Sequence, residues 1–160
     1  MLWYVFIMLF TPEKTSLEIP SPTALEIADL LAMSVRDTSR TPLYRDGREY
    51  MQQAVRKGEM GYGLRNDAGK LVVAASTDTI GQSPDIAIRH MSTAPDERRR
   101  GHARALLGII AHEAAMHPTV PGIRFTLNTE RPDIFKKMGF TPSTYDARDG
   151  NMAAPINKFL

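Results

Sequence analysis

Apolar positions along this chain alternate between helical and strand spacing, and each switch marks an element. Ala24, Ile27, Ala28, Leu31 and Val35 share one face of a helix of about three turns. Thr23 and Glu26 form a capping box beside Pro22, so the helix is expected to begin there. Residues 17–19 read as a short strand before it, and residues 47–57 as a second, less amphipathic helix after a polar loop at 37–46. Residues 60–65 and 70–76 flank Asn66-Asp-Ala-Gly69, a strong turn signal, and predict a hairpin. A strand at 85–93 follows, antiparallel to the last by its short connection.

A helix over 101–117 buries Ala103, Leu106, Leu107, Ile110 and Ala114, and Pro118 stops it. Residues 123–127 form a strand, and 132–138 a short helix with Gly139 as its C-cap. Two strands at 141–147 and 152–159, turned by Asp149-Gly-Asn151, close the chain. The order is strand, two helices, three strands, helix, strand, helix, two strands. It predicts an α/β (α+β) fold, a mixed sheet with helices on both faces.

At 160 residues, the chain suits one domain with its own core. Twenty basic residues nearly balance eighteen acidic ones, for a net charge of +2, which points away from a dedicated nucleic-acid binder. Cysteine is absent, which excludes disulfides, thiolate metal sites and a cysteine nucleophile, and suits a cytoplasmic location. Residues 1–10 are apolar but span only about 15 Å as a helix, too short for a bilayer. They lack the basic start and cleavage site of a signal peptide. An extra strand, an oligomer contact such as a homodimer, and translation upstream of a start at Met8 all remain open for them. Residues 1–14 are set apart as an extension, and 15–160 form the domain.

Chemistry concentrates at Arg98-Arg99-Arg100-Gly101-His102-Ala103, between a strand and a helix. A helix N-terminus carries unpaired N–H groups and about half a positive charge, and so attracts anions. Small residues at Gly101 and Ala103 let a phosphate approach the backbone, and the arginines add fork-shaped donors. A diphosphate is the ligand expected there.

This loop resembles the pyrophosphate loop of the GNAT superfamily of acyl-CoA N-acyltransferases: Gln or Arg, two residues, Gly, one residue, then Gly or Ala. A second match lies downstream in Asn128, Ile134-Phe135, Lys136-Lys137, Met138 and Gly139-Phe140. The element order over about 15–160 agrees as well. Two spaced motifs in the right settings are far more specific than either alone.

The resemblance implies a mostly antiparallel sheet of about six to seven strands with a V-shaped splay, flanked by about four helices. It also implies acetyl-CoA, or another acyl-CoA, as co-substrate, with no metal. The thioester would lie where the strand before the arginine loop splays from strand 123–127. The backbone at Met91 and Thr93 would pair with the pantetheine arm. The amides of Arg99, Arg100, Gly101, His102 and Ala103 would hold the pyrophosphate, aided by Arg98 and Arg104. Asn128 would contact the pantetheine chain, and Phe135 would pack near the thioester.

Family members often place a proton-donating tyrosine where this chain has Phe135, which cannot donate. Candidates for the base are Asp85, near an acidic position of many relatives, and His90, whose intrinsic pKa suits the task. Tyr62 and Tyr145 are weaker candidates for the acid. The expected activity is acetyl transfer to a primary amine of a small molecule or protein, by direct attack in a ternary complex. The alternatives are a catalytically idle binding or interaction module and a toxin-like enzyme acting on aminoacyl-tRNA. The acceptor pocket would draw on residues 36–58, with Arg45 or Arg48 against a carboxylate, and on the loop after Tyr145. His112 and His117 are one residue too far apart to share a helix face, so no zinc site is expected. The arginine loop lacks the aromatic platform of an RNA binder, and Lys136-Lys137 reads as a solvated helix end.

Overall fold

The computed structural model describes residues 10–36, 41–143 and 150–160. Strands β1 (Thr11–Ser16), β2 (Met60–Arg65), β3 (Leu71–Thr77), β4 (Asp85–Thr93), β5 (Arg124–Asn128), β6 (Thr141–Pro142) and β7 (Asn151–Pro155) join in the order β1-β2-β3-β4-β5-β7-β6. Four helices accompany them: α1 (Pro22–Ala32), α2 (Gly47–Gln53), α3 (His102–Ala115) and α4 (Pro132–Lys137). The described chain groups into two compact units. One comprises the chain up to Ser76 with His90–Leu106, and the other comprises Thr77–Arg89 with Leu107–Leu160.

In the first unit, β1 pairs antiparallel with β2 from Thr11 opposite Arg65 to Ser16 opposite Met60. The strand expected at 17–19 therefore lies just upstream, and the boundary expected after residue 14 falls inside it. Leu17 instead is a fully buried core residue. The cap of α1 also differs from expectation. Ser21, not Thr23, accepts from the Ala24 amide at 3.1 Å, with Pro22 at the first helical position. Glu26 is drawn instead into an ion pair with Arg65, which also holds Glu13 at 2.5 Å. Ala24, Ile27, Ala28 and Leu31 are buried as the periodicity requires, and they share a core with Tyr50, Leu71 and Ala74.

α2 stops at Gln53 rather than 57, and Asp46 caps it by accepting from the Glu49 amide at 2.9 Å. Gly47 lets it approach α1. A Cβ there would lie 2.4 Å from the Asp29 backbone nitrogen, and the Gly47 amide donates to Asp29 Oδ1 at 2.6 Å. The hairpin turn forms as read, with Asn66 Oδ1 accepting from Ala68 and Lys70 amides.

In the second unit, Leu107, Ile110 and Ala114 of α3 are fully buried. Phe125, Phe140 and Phe159 cluster with centroids 5.4–6.5 Å apart. α4 has Met138 as its C-cap, one residue before the expected Gly139, which follows in the left-handed conformation (φ 104°). β7 ends at Pro155, where proline removes a ladder donor, and residues 156–159 coil into a 3₁₀ turn rather than continuing the strand. Residues 1–9, 37–40 and 144–149, which include Tyr145 and most of the expected strand 141–147, lie outside the described residues. No described helix is long and apolar enough to cross a membrane.

Candidate functional site

β4 ends at Thr93, and the next amide, Ala94, donates to Val72 at 2.9 Å. One 3₁₀ turn, Pro95–Glu97, leads into the arginines. Lys70 of the hairpin turn pairs with Asp96, and that hydrogen bond is the main cause holding the Asp96 carboxyl below its ordinary value. Arg99 (φ 64°) and Gly101 (φ 80°) are both left-handed. Left-handed residues alternating with others make successive amides converge into an anion-binding concavity. The first α3 hydrogen bond runs from Ala105 N–H to Gly101 O at 3.1 Å, leaving the preceding amides outside the helical ladder. A Cβ on Gly101 would meet nothing within 4 Å, so there is room above this backbone.

The side chains of Arg98, Arg99, Arg100 and Arg104 are exposed, with Arg100 3.5 Å from Glu97. His102 differs. Its ring is buried, 3.1 Å from Glu97 Oε2 and edge-on to Phe10 at 5.0 Å. Its contribution to an anion site is therefore its amide rather than its imidazole. Ala103, expected in the core, is only half-buried.

β4 pairs with β5 in parallel through Asp85 with Arg124, Ile86 with Phe125 and Ala87 with Thr126. The ladder stops there, although β4 continues to Thr93 and β5 stays paired with β7 through Asn128 opposite Asn151. Met91 and Thr93 thus lie on the part of β4 beyond the ladder, and both are half-buried. The Asn128 side-chain amide donates to Asn151 Oδ1 at 2.6 Å. Phe135 packs edge-on against Phe140 at 5.6 Å, an apolar contact with no hydroxyl to offer.

The two candidates for the base sit in different settings. Both oxygens of Asp85 accept from Arg124, at 2.7 and 2.9 Å, so each already holds a guanidinium N–H. His90 Nδ1 lies 2.6 Å from the Tyr50 hydroxyl, and the rings meet at 72°. The same hydroxyl is 3.4 Å from Ser76 Oγ. Tyr50, Ser76 and Glu59 are all fully buried. Burial is the main reason the Tyr50 hydroxyl is pushed above its ordinary pKa. Hydrogen bonding to Ser76 opposes that rise, while Glu59 and Tyr44 add to it.

Within the first unit the chain therefore gathers Met91, Thr93, the loop from Arg98 to Arg104, and His90 with its partners. Asp85, Asn128 and Phe135 belong to the second unit. Sequence reading missed Tyr50, Glu59 and Ser76. The one available signal was Glu59, a lone carboxylate directly before the apolar strand β2. Tyr62 is buried, with Lys14 Nζ 5.8 Å over its ring. Arg45 is bonded to Glu49 at 2.6 Å, and Arg48 is exposed.

No protein-family model matches this sequence, and no curated protein matches it. Solved structures do. Tetrahymena GCN5 is similar at TM-score 0.68 and 13% identity, over 94% of this chain and 98% of that one. The ribosomal-protein-S18-alanine N-acetyltransferase of Escherichia coli is similar at TM-score 0.60 and 19% identity, over 91% and 94%. A spermidine N-acetyltransferase of Vibrio cholerae is similar at TM-score 0.60 and 14% identity, over 95% and 96%. The strand order, the short parallel ladder and the arginine loop before α3 all accord with that likeness, and the chain has the GNAT fold.

Proposed function

We propose that this chain is an N-acetyltransferase that moves an acetyl group from acetyl-CoA to a primary amine. The observation that carries this reading is the loop from Arg98 to Ala103. There two left-handed residues, room above Gly101 and three exposed guanidinia meet the N-terminus of α3. Backbone amides and arginines are the donors a diphosphate needs. Two structural neighbours are named for acetylating amines, spermidine and an alanine of ribosomal protein S18.

In this reading the pantetheine arm adds to β4 at Met91 and Thr93 like a short strand. The amine nitrogen attacks the thioester carbonyl carbon, the C–N bond forms, the C–S bond breaks and the thiolate takes up a proton. Holding both reactants in place supplies up to about 7–11 kcal/mol of the barrier. The base removes a proton from an amine that arrives as an ammonium. Between the two candidates, His90 is favoured, because Asp85 is held in a two-point ion pair by Arg124.

Acetyl-CoA at a hundredfold excess over Kd stabilises the fold by about 2.7 kcal/mol. For a chain of this size that raises Tm by about 5–10 °C. Gly101→Glu, which places a carboxylate where the diphosphate would sit, abolishes the rise. If no acyl-CoA shifts Tm at millimolar concentration, the reading fails.

Phe135 supports a second reading, a module that binds CoA without turnover, since no hydroxyl stands there to protonate the thiolate. Thiol release across a panel of primary amines separates the two. Turnover of any amine removes the idle module.

A further inference from the structure

Glu97 and His102 stand on either side of the segment 98–101, and their side chains meet across it, Oε2 to Nε2 at 3.1 Å. The side chains are 15% and 4% exposed, so this contact is shielded from the water that weakens surface pairs. It closes whether the ring is neutral or charged, because a carboxylate accepts from an Nε2–H that both forms can present. Each end of the segment is also tied to the rest of the first unit. Asp96, beside Glu97, pairs with Lys70 of the hairpin turn, and His102 meets Phe10 edge-on ahead of β1.

Two features of the segment call for such a closure. Arg99 holds a left-handed φ of 64°, which an L side chain disfavours and which persists only where its surroundings fix it. Glu97 is a carboxylate at the edge of a loop otherwise suited to an anion, where its charge opposes the ligand. Its Oε2 faces two groups of the loop itself, His102 and Arg100 Nη1 at 3.5 Å. The charge is engaged in holding the loop.

We infer that Glu97 and His102 are positioning residues that clasp the diphosphate loop into its binding shape before any ligand arrives. The inference rests on the acetyltransferase reading for the identity of the ligand, whereas the clasp is a property of the ligand-free chain. Its consequence is opposite in sign to simple electrostatics. Deleting a carboxylate beside an anion site should tighten binding, because a like charge is removed. If that carboxylate holds the loop in shape, its deletion leaves the competent shape only partly populated, and apparent affinity falls by that fraction.

Calorimetric titration of the full chain with acetyl-CoA measures the affinity. NMR of the ligand-free protein reads the loop, since a positive φ brings the Arg99 amide proton near its own Hα and gives a strong NOE. Glu97→Ala and His102→Leu, which keeps an apolar side chain against Phe10, should each raise Kd about tenfold and weaken that NOE. The double variant should also lose about tenfold rather than about a hundredfold, since the two side chains act through one bond. His102→Gln, whose side-chain amide can donate to the same carboxylate, should keep native affinity. Tighter or unchanged binding in Glu97→Ala overturns the inference, as does a hundredfold loss in the double variant, on the order expected for independent sites. So does an Arg99 NOE that is weak in the native chain or stays strong in both single variants. Should His102→Leu fail to fold, Glu97→Ala decides alone. A native chain that binds no acetyl-CoA at millimolar concentration sinks the acetyltransferase reading, and the Arg99 NOE then decides the clasp, so the two failures are distinguishable.

Discussion

Arg124 grips both carboxylate oxygens of Asp85, at 2.7 and 2.9 Å, at the first pair of the parallel ladder between β4 and β5. A forked guanidinium on a carboxylate is a strong, oriented contact, but both groups are about one-third exposed and solvent weakens it.

From this pairing, Asp85→Asn is expected to cost about 0.5–1 kcal/mol of stability and less than about tenfold in kcat/KM with whichever amine is turned over. His90→Gln should lower kcat about 10²–10⁴-fold, the usual worth of a general base. Urea unfolding and thiol-release kinetics on both variants measure this. A larger kinetic loss in Asp85→Asn than in His90→Gln would move the base to Asp85.

Gly101 allows a split between backbone strain and ligand clash. Its φ of 80° disfavours any side chain, yet a Cβ would meet nothing. Gly101→Asn, which tolerates this conformation, should unfold within about 1 kcal/mol of the native chain, whereas Gly101→Val should lose about 1–2 kcal/mol or more. Both should weaken acetyl-CoA binding, because either side chain occupies the room over the amides. Calorimetric titration beside urea unfolding checks it. Unchanged affinity in Gly101→Val would show that the diphosphate does not dock there.

The arginine loop was legible because its information is local: six consecutive residues carry the turn, the small side chains and the charge. The core face of α1 was legible for the same reason, since Ala24, Ile27, Ala28 and Leu31 repeat at helical spacing. What failed depended on distant partners. Glu26 looked like half of a capping box, but Arg65, far along the chain, takes its carboxylate and the cap passes to Ser21. β1 is a polar string containing Pro12, and it becomes a strand because β2 offers an edge. Tyr50, which meets His90, lies 40 positions away, and Ser76, which meets Tyr50, lies 26 positions from it, and no periodicity links them.

Gly47 controls where Tyr50 sits. A methyl at residue 47 would overlap the Asp29 nitrogen and the Leu25 carbonyl oxygen, both backbone atoms that cannot swing aside. Gly47→Ala must therefore push α2 away from α1, at about 1–3 kcal/mol for overpacking. Because α2 carries Tyr50, the same substitution should also loosen the 2.6 Å contact with His90. Asp29→Ala removes only the hydrogen bond to the Gly47 amide, and about 1.5–3 kcal/mol is expected for one made by a charged group. If Gly47→Ala leaves both stability and the His90 ring signals unchanged, the close approach of the two helices is not as described.

Alkaline unfolding offers a test of the buried hydroxyl itself. An unfolded tyrosine titrates near 10.0, and burial raises Tyr50 above that in the fold. Between these two values the folded chain keeps a proton that the unfolded chain has released, so stability falls with rising pH in that window. The contribution is complete below about pH 10 and is lost as pH climbs toward the folded value. Tyr50→Phe has no proton to lose. At pH 8 it should be less stable than the native chain by about 0.5–1.5 kcal/mol, for the missing hydrogen bond. That gap should narrow steadily from pH 10 upward, because only the native chain pays for ionisation. Urea unfolding of both proteins at intervals from pH 8 to 11 gives the difference directly, and the other tyrosines cancel in the comparison. A gap that stays constant across the range would mean Tyr50 titrates alike in both states and is not held in a dry site.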